Sequence, residues 1–565
     1  MRLCALCRRA YVRRTGPTSR AAVDPALSEA LAGKTRAQLG RFHVRVVRAP
    51  PNLEANLLAA AADRGFELRT LGRSPAGFLM RSLKGRHLPP ERSQVLAKAR
   101  EIEREIVAQD GLDNAAGGVE SVVDVTESES ASFDAEQLDR RKRIERKVRR
   151  LFYHWESLRF DTPKECLTYA QLRFMPNYAA LVRVLSELAG RDPKLKPVSV
   201  LDVGSGVGSA HFACERVWPQ VVAEYRLVDE SKQMHELAAD LIMGGRSEDP
   251  SARGVFFRRQ LARVPERRFD LVVCSNTLME LPSYEARMDL VERLWSHTDK
   301  YLVITEGGVA ANDSYRAVME ARDFVIKGGS RLDKRAAYAL FQEKRLDPQL
   351  LKTVYASEGL TEQQKYAAIR TQVPAEVELP TLLPTGHVFA PCPHSMPCPL
   401  RALKAANRPT DLRYYCNLRV RYDVLKHVRN TCKVGGVLKE DQLGHEFFSH
   451  VVLRKGDQDA KRETQWPRVI SDVAPRRHHV VCRLCTPAGP AAGSLVVTKA
   501  RHGATLYRLA RQAKWGDLLP AHVGPRELSV GHEDVFLQMR LEGGDDEHIW
   551  DMAEEEEEAD AAPSL

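Results

Sequence analysis

The chain has 565 residues, a formal net charge of +10 at pH 7 and 43% hydrophobic residues. This length is enough for two or three domains, each with its own core. No stretch approaches the roughly 20 apolar residues that a membrane-spanning helix needs, so we expect no membrane partner. Eleven cysteines over this length are too few for a disulfide scaffold, and their clustering favours metal ligation in a reducing compartment.

The N-terminal segment is rich in arginine and free of acidic residues. Six arginines and no Asp or Glu occur between Met1 and Val23, and the apolar centre of a secretory signal is missing. Such composition is typical of organelle transit peptides. We therefore predict a mitochondrial transit peptide over residues 1–25 and a protein of the mitochondrial matrix.

Four regions carry weak signals, and three of them lie outside the main domains. Residues 26–109 are predicted to be partly helical, and residues 110–138 to form a disordered acidic linker because they are polar and lack periodicity. A basic helix is expected over 140–150, suited to a phosphate backbone. Residues 521–565 are predicted to be a tail whose disordered end includes the acidic run 551–560. Without that run the body is more basic, which favours a polyanionic partner.

A glycine-rich turn, Gly204-Ser-Gly206-Val-Gly208, marks the first domain. An apolar strand ends in this turn, and an amphipathic helix follows from about Ser209. Glycines allow positive φ and a close approach of ligand to the turn and the helix N-terminus. The spacing differs from the dinucleotide fingerprint G-x-G-x-x-G and resembles motif I of class I S-adenosylmethionine-dependent methyltransferases. The resemblance implies that S-adenosylmethionine binds at Asp202, Gly204, Ser205, Gly206 and Gly208.

A second predicted strand supports this fold. Residues 224–229 end in Asp229, about twenty residues past the glycine turn, where folds of this kind hold a ribose hydroxyl. Further strands within 268–281 and 300–308 alternate with helices, which indicates a parallel, doubly wound sheet. We therefore predict an α/β fold: a class I methyltransferase-like, Rossmann-like domain over residues 139–327, with Asp229 completing its cofactor site.

The loop after the predicted fourth strand lacks the features of nucleobase methylation. Such enzymes usually carry N-P-P-Y or D-P-P-Y there, to grip the target amine and stack on the base, whereas this chain has Ser275-Asn276-Thr277-Leu278. Cys274 lies in an apolar strand, where a free thiol usually packs as core. No general base is evident, so we predict no catalytic residue and a domain that binds its cofactor without an assigned reaction.

The densest cysteine pattern lies in the second half. Cys392-Pro and Cys398-Pro stand six residues apart, Cys416 follows, and Cys482-Arg-Leu-Cys485 comes much later. Because proline fixes φ after each of the first two thiols, the pattern can wrap four thiolates around one metal centre. Such ligands accept Zn²⁺ as well, although the spacing favours iron and sulfur. Side chains alternate between the two faces of a strand, so Cys482 and Cys485 point to opposite sides. Either one could be the fourth ligand.

One predicted region precedes these cysteines, and a second contains them. A helical insertion is predicted over 328–387, and a smaller C-terminal domain with β structure, carrying the cluster and an RNA surface, over 388–520. The segment from Leu400 to Lys433 contains nine Lys or Arg residues and only two Asp residues. Basic side chains contact phosphate and aromatic ones stack on unpaired bases. This basic segment is therefore the predicted RNA-binding surface, with the tyrosines Tyr414, Tyr415 and Tyr422.

An ordered series of motifs runs from Tyr169 to Leu519, outside the insertion. Its members are Ala390–His394, Tyr415–Cys416, Gly444–Ser449, Leu484–Gly489, Arg501–Gly503, Leu506–Arg508 and Lys514–Asp517. Together they resemble the Rsm family of methyltransferase-like proteins, whose mitochondrial members assemble the small ribosomal subunit. The order of the motifs is far more specific than any one of them alone.

This resemblance implies partners, cofactors and ligands. The partners would be rRNA and proteins of the mitochondrial small ribosomal subunit, with neither DNA nor a membrane among them. The cofactors would be S-adenosylmethionine and a structural [4Fe-4S] cluster, whose ligands, matched position by position, are Cys392, Cys398, Cys416 and Cys485. Cys482 competes for the last place, and Cys432 is a further candidate.

Three functional hypotheses remain. In the first, the protein is an assembly factor that binds rRNA, and both cofactor and cluster are structural. In the second, it is an rRNA methyltransferase whose target base is presented only within the particle. The third is a zinc-stabilised methyltransferase that acts on protein. The absent base-gripping loop favours the first.

Overall fold

The computed structural model describes most of the chain outside its termini and the acidic linker. The described residues are 21–23, 34–68, 71, 92–109, 139–144, 147, 158–244, 250–307, 311–357, 362–374, 377–401, 415–426, 428, 443–458, 466–487, 492–524 and 527–528. The predicted linker 110–138, the acidic end of the tail, most of the basic segment and the second half of the basic helix 140–150 lie outside them. Within these residues no helix is long and apolar enough to cross a membrane.

The described part alternates helices and strands, as the sequence predicts. The helices are α1 (Leu53–Asp63), α2 (Arg92–Gln109), α3 (Pro163–Arg191), α4 (Ser209–Val217), α5 (Lys232–Met243), α6 (Tyr284–His297), α7 (Ala311–Ser330), α8 (Lys334–Glu343), α9 (Pro348–Ala356), α10 (Glu362–Arg370) and α11 (Lys499–Gln512). The strands are β1 (Ala22–Val23), β2 (Ser199–Val203), β3 (Glu224–Val228), β4 (Val255–Arg258), β5 (Phe269–Ser275), β6 (Thr298–Gly307), β7 (Gly386–Ala390), β8 (Leu418–Asp423), β9 (Leu443–Lys455), β10 (Arg468–Val469), β11 (Ala474–Pro475), β12 (His479–Cys485), β13 (Ala492–Thr498) and β14 (Ala521–His522).

An eight-stranded sheet forms the centre of the fold. Its order is β4-β3-β2-β5-β6-β9-β7, with β8 also paired to β9. Strands β2 to β6 run parallel to one another, whereas β9 is antiparallel to β6, β7 and β8. This is the predicted doubly wound parallel sheet, extended at one side by antiparallel strands.

Both faces of this sheet are covered. Successive strand residues point to opposite faces, so Val200 packs into the core under α3, α4 and α5, while Leu201 packs into the core under α6 and α7. Strands buried on both faces are apolar along most of their length, as in the β5 sequence Leu271-Val272-Val273. The carboxyl ends of β2, β3 and β5 therefore form one rigid edge.

Helix α3 is well defined at its start and is the longest helix described. Thr162 and Glu165 form a reciprocal capping box, and Pro163 occupies the first turn, where a missing backbone N–H costs nothing. Nearly every side chain between Cys166 and Leu188 is buried. Because α3 is enclosed on most sides, it can carry polar groups into the interior near the sheet edge.

The predicted boundary at residue 388 is corrected by the strand pairing. Strands β7, β8 and β9 fall inside the predicted C-terminal domain 388–520, but they belong to the eight-stranded sheet. The middle of β9 is apolar and buried on both faces, so it is stable between β6 and β7 rather than in a half-exposed smaller sheet. The strand itself was predicted, and its sheet was not.

A smaller sheet follows in the chain. Strand β12 is its centre and pairs with β10, β11 and β13, all antiparallel. Helix α11 covers one face, and Val480, Cys482 and Leu506 contribute to the core between them. The sequence prediction of a second, β-containing unit is thus confirmed for the part that begins near residue 466.

The insertion between α7 and β7 has its own core. Helices α8, α9 and α10 pack around Phe341 and Leu351, both nearly inaccessible to solvent. Asp333 and Asp347 cap the first two of these helices through their carboxylates. The predicted helical insertion is therefore a small packed unit attached to α7.

Residues 34–50 form a short 3-10 helix (Ala37–Leu39) followed by irregular chain. This segment, here called the N-terminal strap, contacts both sheets. The Arg41 guanidinium donates to Leu509 O at 2.5 Å, and Asp517 Oδ1 accepts from the Phe42 amide at 2.8 Å. Further along, Val47 bridges to Tyr422 of β8. Because these contacts span several hundred residues of sequence, the strap fastens the smaller sheet to the larger one.

Strand β1 pairs with β14, and each of the two strands lies in a region that was predicted to be outside the domains. Ala22 pairs with His522 and Val23 with Ala521, so β1 lies inside the predicted transit peptide 1–25 and β14 inside the predicted tail 521–565. Ala21 and Ala521 are both buried in the core of the smaller sheet. The predicted transit peptide 1–25 therefore includes β1, and its boundary stays a prediction.

Candidate functional site

The glycine turn follows β2 at the carboxyl edge of the large sheet. Gly204, Gly206 and Gly208 have φ values of 71°, 48° and 79°, in the left-handed region that favours glycine. The amides of Gly204 and Ser205 both donate to Val228 O, at 2.8 and 3.0 Å. A Cβ at Gly204 would collide with Thr277 Oγ1. The turn is thus held between the ends of β3 and β5.

Asp229 lies beside this turn, as its predicted role requires. Its Oδ2 accepts from the Gly206 amide at 2.8 Å, and its Oδ1 accepts from the Ser231 amide at 2.9 Å. A carboxylate oxygen has two lone pairs, so each oxygen can accept another hydrogen bond. The carboxylate is therefore fixed in place and still able to bind hydroxyl groups.

A cleft opens between the glycine turn and α3, here called the glycine-loop cleft. Besides the turn, its lining includes Tyr169, Asn177, Asp202 and Ser275. Burial raises the pKa of Asp202 to about 8, with a further contribution from Asp229. This raised pKa favours the protonated form of Asp202, which can donate a hydrogen bond. Four of the six predicted cofactor residues line the cleft. Of the other two, Asp229 contacts the Gly206 amide and Gly208 ends the turn.

Helix α3 supplies a wall that the sequence analysis did not assign. The Asn177 amide donates to the Tyr169 hydroxyl at 3.1 Å, and Arg173 Nη2 donates to Asn177 Oδ1 at 3.0 Å. Arg173 also forms a buried ion pair with Glu446 of β9 at 2.8 Å. The spacing Tyr169, Arg173, Asn177 places one residue per helical turn on one face, a signal that was present in the sequence.

The loop after β5 closes the cleft through its own hydrogen bonds. Asn276 has a φ of 56°, and its Oδ1 accepts from the Gly307 amide at 2.8 Å. Glu306 Oε1 accepts from the Leu278 amide at 2.7 Å. Thr277 Oγ1 donates to Val203 O at 3.3 Å. The polar groups of this loop hold the loop itself. Burial also raises the pKa of Cys274, which is fully buried, as expected of a core thiol.

The four predicted cysteine ligands come together where the two sheets meet. Cys392 and Cys398 lie in the loop after β7, Cys416 precedes β8, and Cys485 ends β12. Burial raises the pKa of the Cys485 thiol, and the thiols of the other three raise it further. This influence indicates that the four thiols lie near one another, and they are here called the four-cysteine site.

The competing residue, Cys482, lies elsewhere. It is fully buried in the core between β12 and α11. Burial raises the pKa of Cys482, and the charged neighbour that opposes this shift is Arg41 of the N-terminal strap. Because Cys482 and Cys485 lie three residues apart on β12, their side chains project to opposite faces. Cys432, the further candidate, lies outside the described residues.

Polar groups contact two of these thiols directly. The Tyr315 hydroxyl donates to Cys398 Sγ at 3.0 Å, and His394 Nε2 lies 3.4 Å from Cys485 Sγ. Burial, with a contribution from Arg322, lowers the pKa of His394 to about 4. The imidazole is therefore neutral at physiological pH.

Two buried arginines brace the loop that carries Cys392 and Cys398. Arg322 Nη2 donates to His394 O at 3.1 Å and to Met396 O at 2.6 Å, and it is 1% exposed. Arg468 Nε donates to Pro391 O at 2.8 Å. Buried guanidinium groups need negative partners, which are Asp323 for Arg322 and Glu187 for Arg468. The site thus places these paired positive charges next to the thiols.

Arg468 belongs to a buried ionic cluster centred on Glu187 of α3. Glu187 Oε1 lies 2.5 Å from Arg468 Nη2, and Oε2 lies 3.0 Å from Arg183 Nη1. Arg191 contacts the same carboxylate at 3.5 Å and also donates to Phe389 O. The cluster therefore joins α3, the cysteine loop and β10. Nothing in the local sequence marks Glu187 as buried.

The predicted RNA-binding segment is described only in part. Its residues 402–414 and 429–442 lie outside the described residues, and Tyr414 with them. Tyr415 is half-buried beside Cys398 and Cys416. Tyr422 packs against the large core. Both tyrosines are only partly buried, and their role in stacking on RNA bases stays a prediction.

No group of three or more His, Cys, Asp or Glu side chains in the described part of the chain is arranged to hold a metal ion. The eight cysteines there are free of disulfides.

The sheet order, the glycine turn after β2 and the acid after β3 define a class I methyltransferase-like protein. The chain also matches a family model described as "Mitochondrial small ribosomal subunit Rsm22" over residues 163–334 and 380–520. The gap in that match falls on the helical insertion. The chain belongs to the Rsm22 family.

Individual relatives agree with this assignment. The chain is 32% identical over 479 residues to "Ribosome assembly protein METTL17, mitochondrial" of Homo sapiens, covering 85% of this chain and 83% of that protein. It is 24% identical over 392 residues to "Rsm22-cox11 tandem protein 2, mitochondrial" of Schizosaccharomyces pombe (strain 972 / ATCC 24843), covering 65% and 44%. With its family, this chain is mitochondrial.

Among solved structures, the chain is similar to a S-adenosylmethionine-dependent methyltransferase from Clostridium acetobutylicum ATCC 824. The identity is 12%, the match covers 25% of this chain and 55% of that one, and the TM-score is 0.20. The fold assignment rests on the sheet topology described above.

Proposed function

We propose that this protein assists assembly of the mitochondrial small ribosomal subunit in the matrix, as an rRNA-binding factor that carries S-adenosylmethionine and a [4Fe-4S] cluster as structural groups. The observation that carries the proposal is the gathering of four thiols from three separate segments where the two sheets meet. The printed names of the family and of its human relative supply the ribosomal context.

The glycine-loop cleft supports binding of S-adenosylmethionine. Its glycine turn accepts close approach of a ligand, and the Asp229 carboxylate stands next to it with spare acceptor capacity. In parallel α/β folds an acid at the end of the second strand binds the ribose hydroxyls of a nucleotide-like ligand. Tyr169 adds an aromatic wall. In this proposal the cofactor stabilises the fold that holds it.

The loop after β5 is the reason for proposing a structural cofactor. Transition-state stabilisation needs groups aimed at the reacting atoms. Asn276, Thr277 and Glu306 instead bind backbone groups of the loop and of neighbouring strands. Methyl transfer within the particle, the alternative function, would need a partner to supply or expose the missing groups.

The residues at the four-cysteine site suit a sulfur-ligated cluster. Four thiolates are the usual ligand set of a [4Fe-4S] cluster, and such a set carries negative charge that Arg322 and Arg468 would offset. Arg322 Nε is buried without a hydrogen-bond partner. The Tyr315 hydroxyl already donates to one thiol, the kind of contact that tunes bound clusters. A bound cluster would cross-link the two sheets through its thiolate ligands.

Anaerobic purification with visible spectroscopy and analysis of iron, sulfide and zinc tests the cluster. We expect about four irons per chain. Cys485→Ser should lose the colour and the iron. Cys482→Ser is the matched control, because it alters a thiol three residues away that lies in a different core, and it should keep its iron. Equal loss in both variants, or stoichiometric zinc in place of iron, would overturn the assignment.

Calorimetric titration with S-adenosylmethionine tests the cleft. Asp229→Asn removes the charged acceptor for ribose while keeping the side-chain volume, so we expect binding to weaken at least about tenfold, as for the loss of a charge-assisted hydrogen bond. Asp240→Asn is the control. Asp240 lies at the end of α5 that is far from Asp229, is 43% exposed, and pairs with Arg64. Unchanged affinity in Asp229→Asn would remove Asp229 from the site.

Cells that depend on the variants separate the two functions. Loss of small subunits in Cys485→Ser cells, with rRNA methylation unchanged by Asp229→Asn, is the expected outcome for an assembly factor. If Asp229→Asn instead abolished methylation of one rRNA base while small subunits still formed, the protein would be a methyltransferase.

A further inference from the structure

An arginine-rich face of β8 and β9 points away from the core under α3. Side chains alternate between the two faces of a strand, and Val420 of β8 and Phe448 of β9 lie in that core. Arg419, Arg421 and Phe447 therefore project to the opposite side, here called the outer face. Cross-strand pairing places Arg419 directly opposite Phe447, so a cation and an aromatic ring are neighbours there.

The aromatic part of the outer face is accessible to solvent. Phe447 is 37% exposed, although apolar side chains of this size are usually buried. Its ring centroid lies 6.1 Å from that of Trp515. The Arg419 guanidinium lies 5.7 Å from the Trp515 ring, within the range of a cation–π contact. Planar groups arranged in this way provide surfaces on which unpaired nucleic acid bases stack.

The N-terminal strap adds a basic cleft to this face. Val47 of the strap bridges to Tyr422 of β8, so the strap runs along the edge of that strand. An open cleft of about 500 Å³ lies at this edge, within the range of about 300–1,000 Å³ for ligand clefts. Because Arg421 belongs to both, the cleft continues the outer face. The lining is mostly basic and consists of Arg45, Val46, Arg48, Arg421 and Leu443.

Two of the four arginines in the outer face and the cleft form ion pairs that solvent reaches. Arg419 Nη2 lies 2.9 Å from Asp472 Oδ2, and Arg48 Nη1 lies 3.1 Å from Asp423 Oδ1. The Arg48 side chain is 75% exposed, and exposed pairs of this kind contribute little to stability. These two aspartates leave an excess of positive charge. A phosphate backbone can therefore displace either aspartate at small cost.

We propose that the outer face binds an unpaired segment of RNA, with one base stacked on Phe447 and the adjoining phosphates bound by Arg419 and the arginines of the cleft. Bases inside a duplex are stacked on one another and cannot reach the ring, which selects unpaired RNA. The excess of positive charge favours this polyanion over a protein surface. RNA binding is part of the proposed function, on which this assignment rests. Phe447 and the strap lie outside the basic segment 400–433 that the sequence predicts.

Fluorescence anisotropy with labelled single-stranded oligouridine and the full chain measures the contribution of the ring. We expect Phe447→Ala to weaken binding about tenfold, because a stacked base is lost, and Phe447→Trp to bind as the wild type does. Tyr284→Ala is the matched control, since Tyr284 is also an exposed aromatic residue but lies at the start of α6, and its affinity should be unchanged. Oligouridine paired with oligoadenosine should bind equally to Phe447→Ala and to the wild type.

The phosphate contacts have a separate signature. Arg48→Gln should reduce the slope of the logarithm of affinity against the logarithm of salt concentration by about one, whereas Phe447→Ala should leave that slope unchanged. Ultraviolet cross-linking of the wild type to thiouridine-substituted RNA, with mass spectrometry of the linked peptides, locates the contact without any variant. We expect the peptide that contains Phe447 to be linked.

The outcomes separate this assignment from the proposed function. If the wild type bound RNA and Phe447→Ala bound it equally well, or if the cross-links avoided β8, β9 and the strap, the assignment would be overturned while rRNA binding stood. The outer face would then be left for a protein partner. If the wild type bound neither oligouridine nor purified small-subunit rRNA, the proposed function would fail as well.

Discussion

Replacing Glu187 by glutamine removes the one carboxylate of the buried ionic cluster. Glu187, Arg183 and Arg468 have side chains that are 1%, 3% and 2% exposed, so water cannot compensate. Breaking a buried ion pair by removing one partner costs about 3–5 kcal/mol, because the other charge stays buried. Here two buried guanidinium groups and the partly buried Arg191 lose their partner. We expect a loss of about that size in the free energy of unfolding.

The pH dependence of stability gives a second signature of the same change. Burial raises the pKa of Glu187, but the attraction of Arg468, Arg183 and Arg191 outweighs burial, so the folded-state pKa lies below the usual value. Such a group stabilises the fold above its unfolded pKa of about 4.3, and this contribution is lost as pH falls below that value. Glu187→Gln should lack this part of the acid sensitivity.

Urea unfolding followed by tryptophan fluorescence measures both effects. Glu343→Gln is the matched control: Glu343 also lies in a helix, but its side chain is 68% exposed and it pairs with Lys344 at the surface, a contact worth at most about 1 kcal/mol. If Glu187→Gln unfolded within about 1 kcal/mol of the wild type, the ionic cluster would not be the fastening that its geometry indicates.

Three further substitutions probe other parts of the fold. Arg322→Gln removes the donors that hold the Cys392–Cys398 loop, and we expect lower iron content at equal expression, measured by metal analysis. Burial raises the pKa of Glu306 to about 8, so the folded state keeps a proton that the unfolded chain releases above about pH 4.3; relative to wild type, Glu306→Gln should therefore gain thermal stability between pH 5 and 8, and a constant difference would contradict this. Phe341→Ala empties the core of the insertion, where such a change costs about 3–5 kcal/mol; hydrogen exchange should speed up in α8 to α10, with binding of S-adenosylmethionine unchanged.

The glycine turn and its acid could be predicted from sequence because their constraints are local. Gly204, Gly206 and Gly208 have positive φ, which favours glycine. All three lie within a seven-residue stretch that joins a strand to a helix. Asp229 occupies the corresponding end of the next strand. The cysteines could be singled out from sequence because few residue types ligate metal and the proline spacing is distinctive, and their role as ligands stays a prediction. In both cases residue type and spacing carry the information.

The sheet membership of β9 could not be predicted in the same way. Its apolar run shows that it is a strand, but the partner is chosen by which edge can bury both of its faces. The pairing of Ile304 with Val451, 147 residues apart, offers that burial. Chain order alone placed β9 in the smaller sheet. The correct neighbour follows only when the edge beside β6 is known to be unpaired.

The buried charges were missed for a related reason. Glu187 and Arg468 are 281 residues apart, and each sits in a sequence where an exposed charge would be equally ordinary. The α3 residues Tyr169, Arg173 and Asn177 had a periodic signal, yet their burial depends on Glu446 from β9. A charged residue is predictable as buried only together with its partner, and the partner is set by the tertiary fold.

The same long-range contacts explain why the two candidate sites can be tested separately. The glycine-loop cleft is built from β2, β3, β5 and α3, all within the large sheet and its cover. The four-cysteine site takes Cys485 from the smaller sheet and the other thiols from loops of the larger one. If those thiols held a group, as proposed, it would act on the junction between the sheets, beside the Glu187 cluster, rather than on the cleft. Loss of that group should therefore weaken the junction first and leave the cofactor cleft formed.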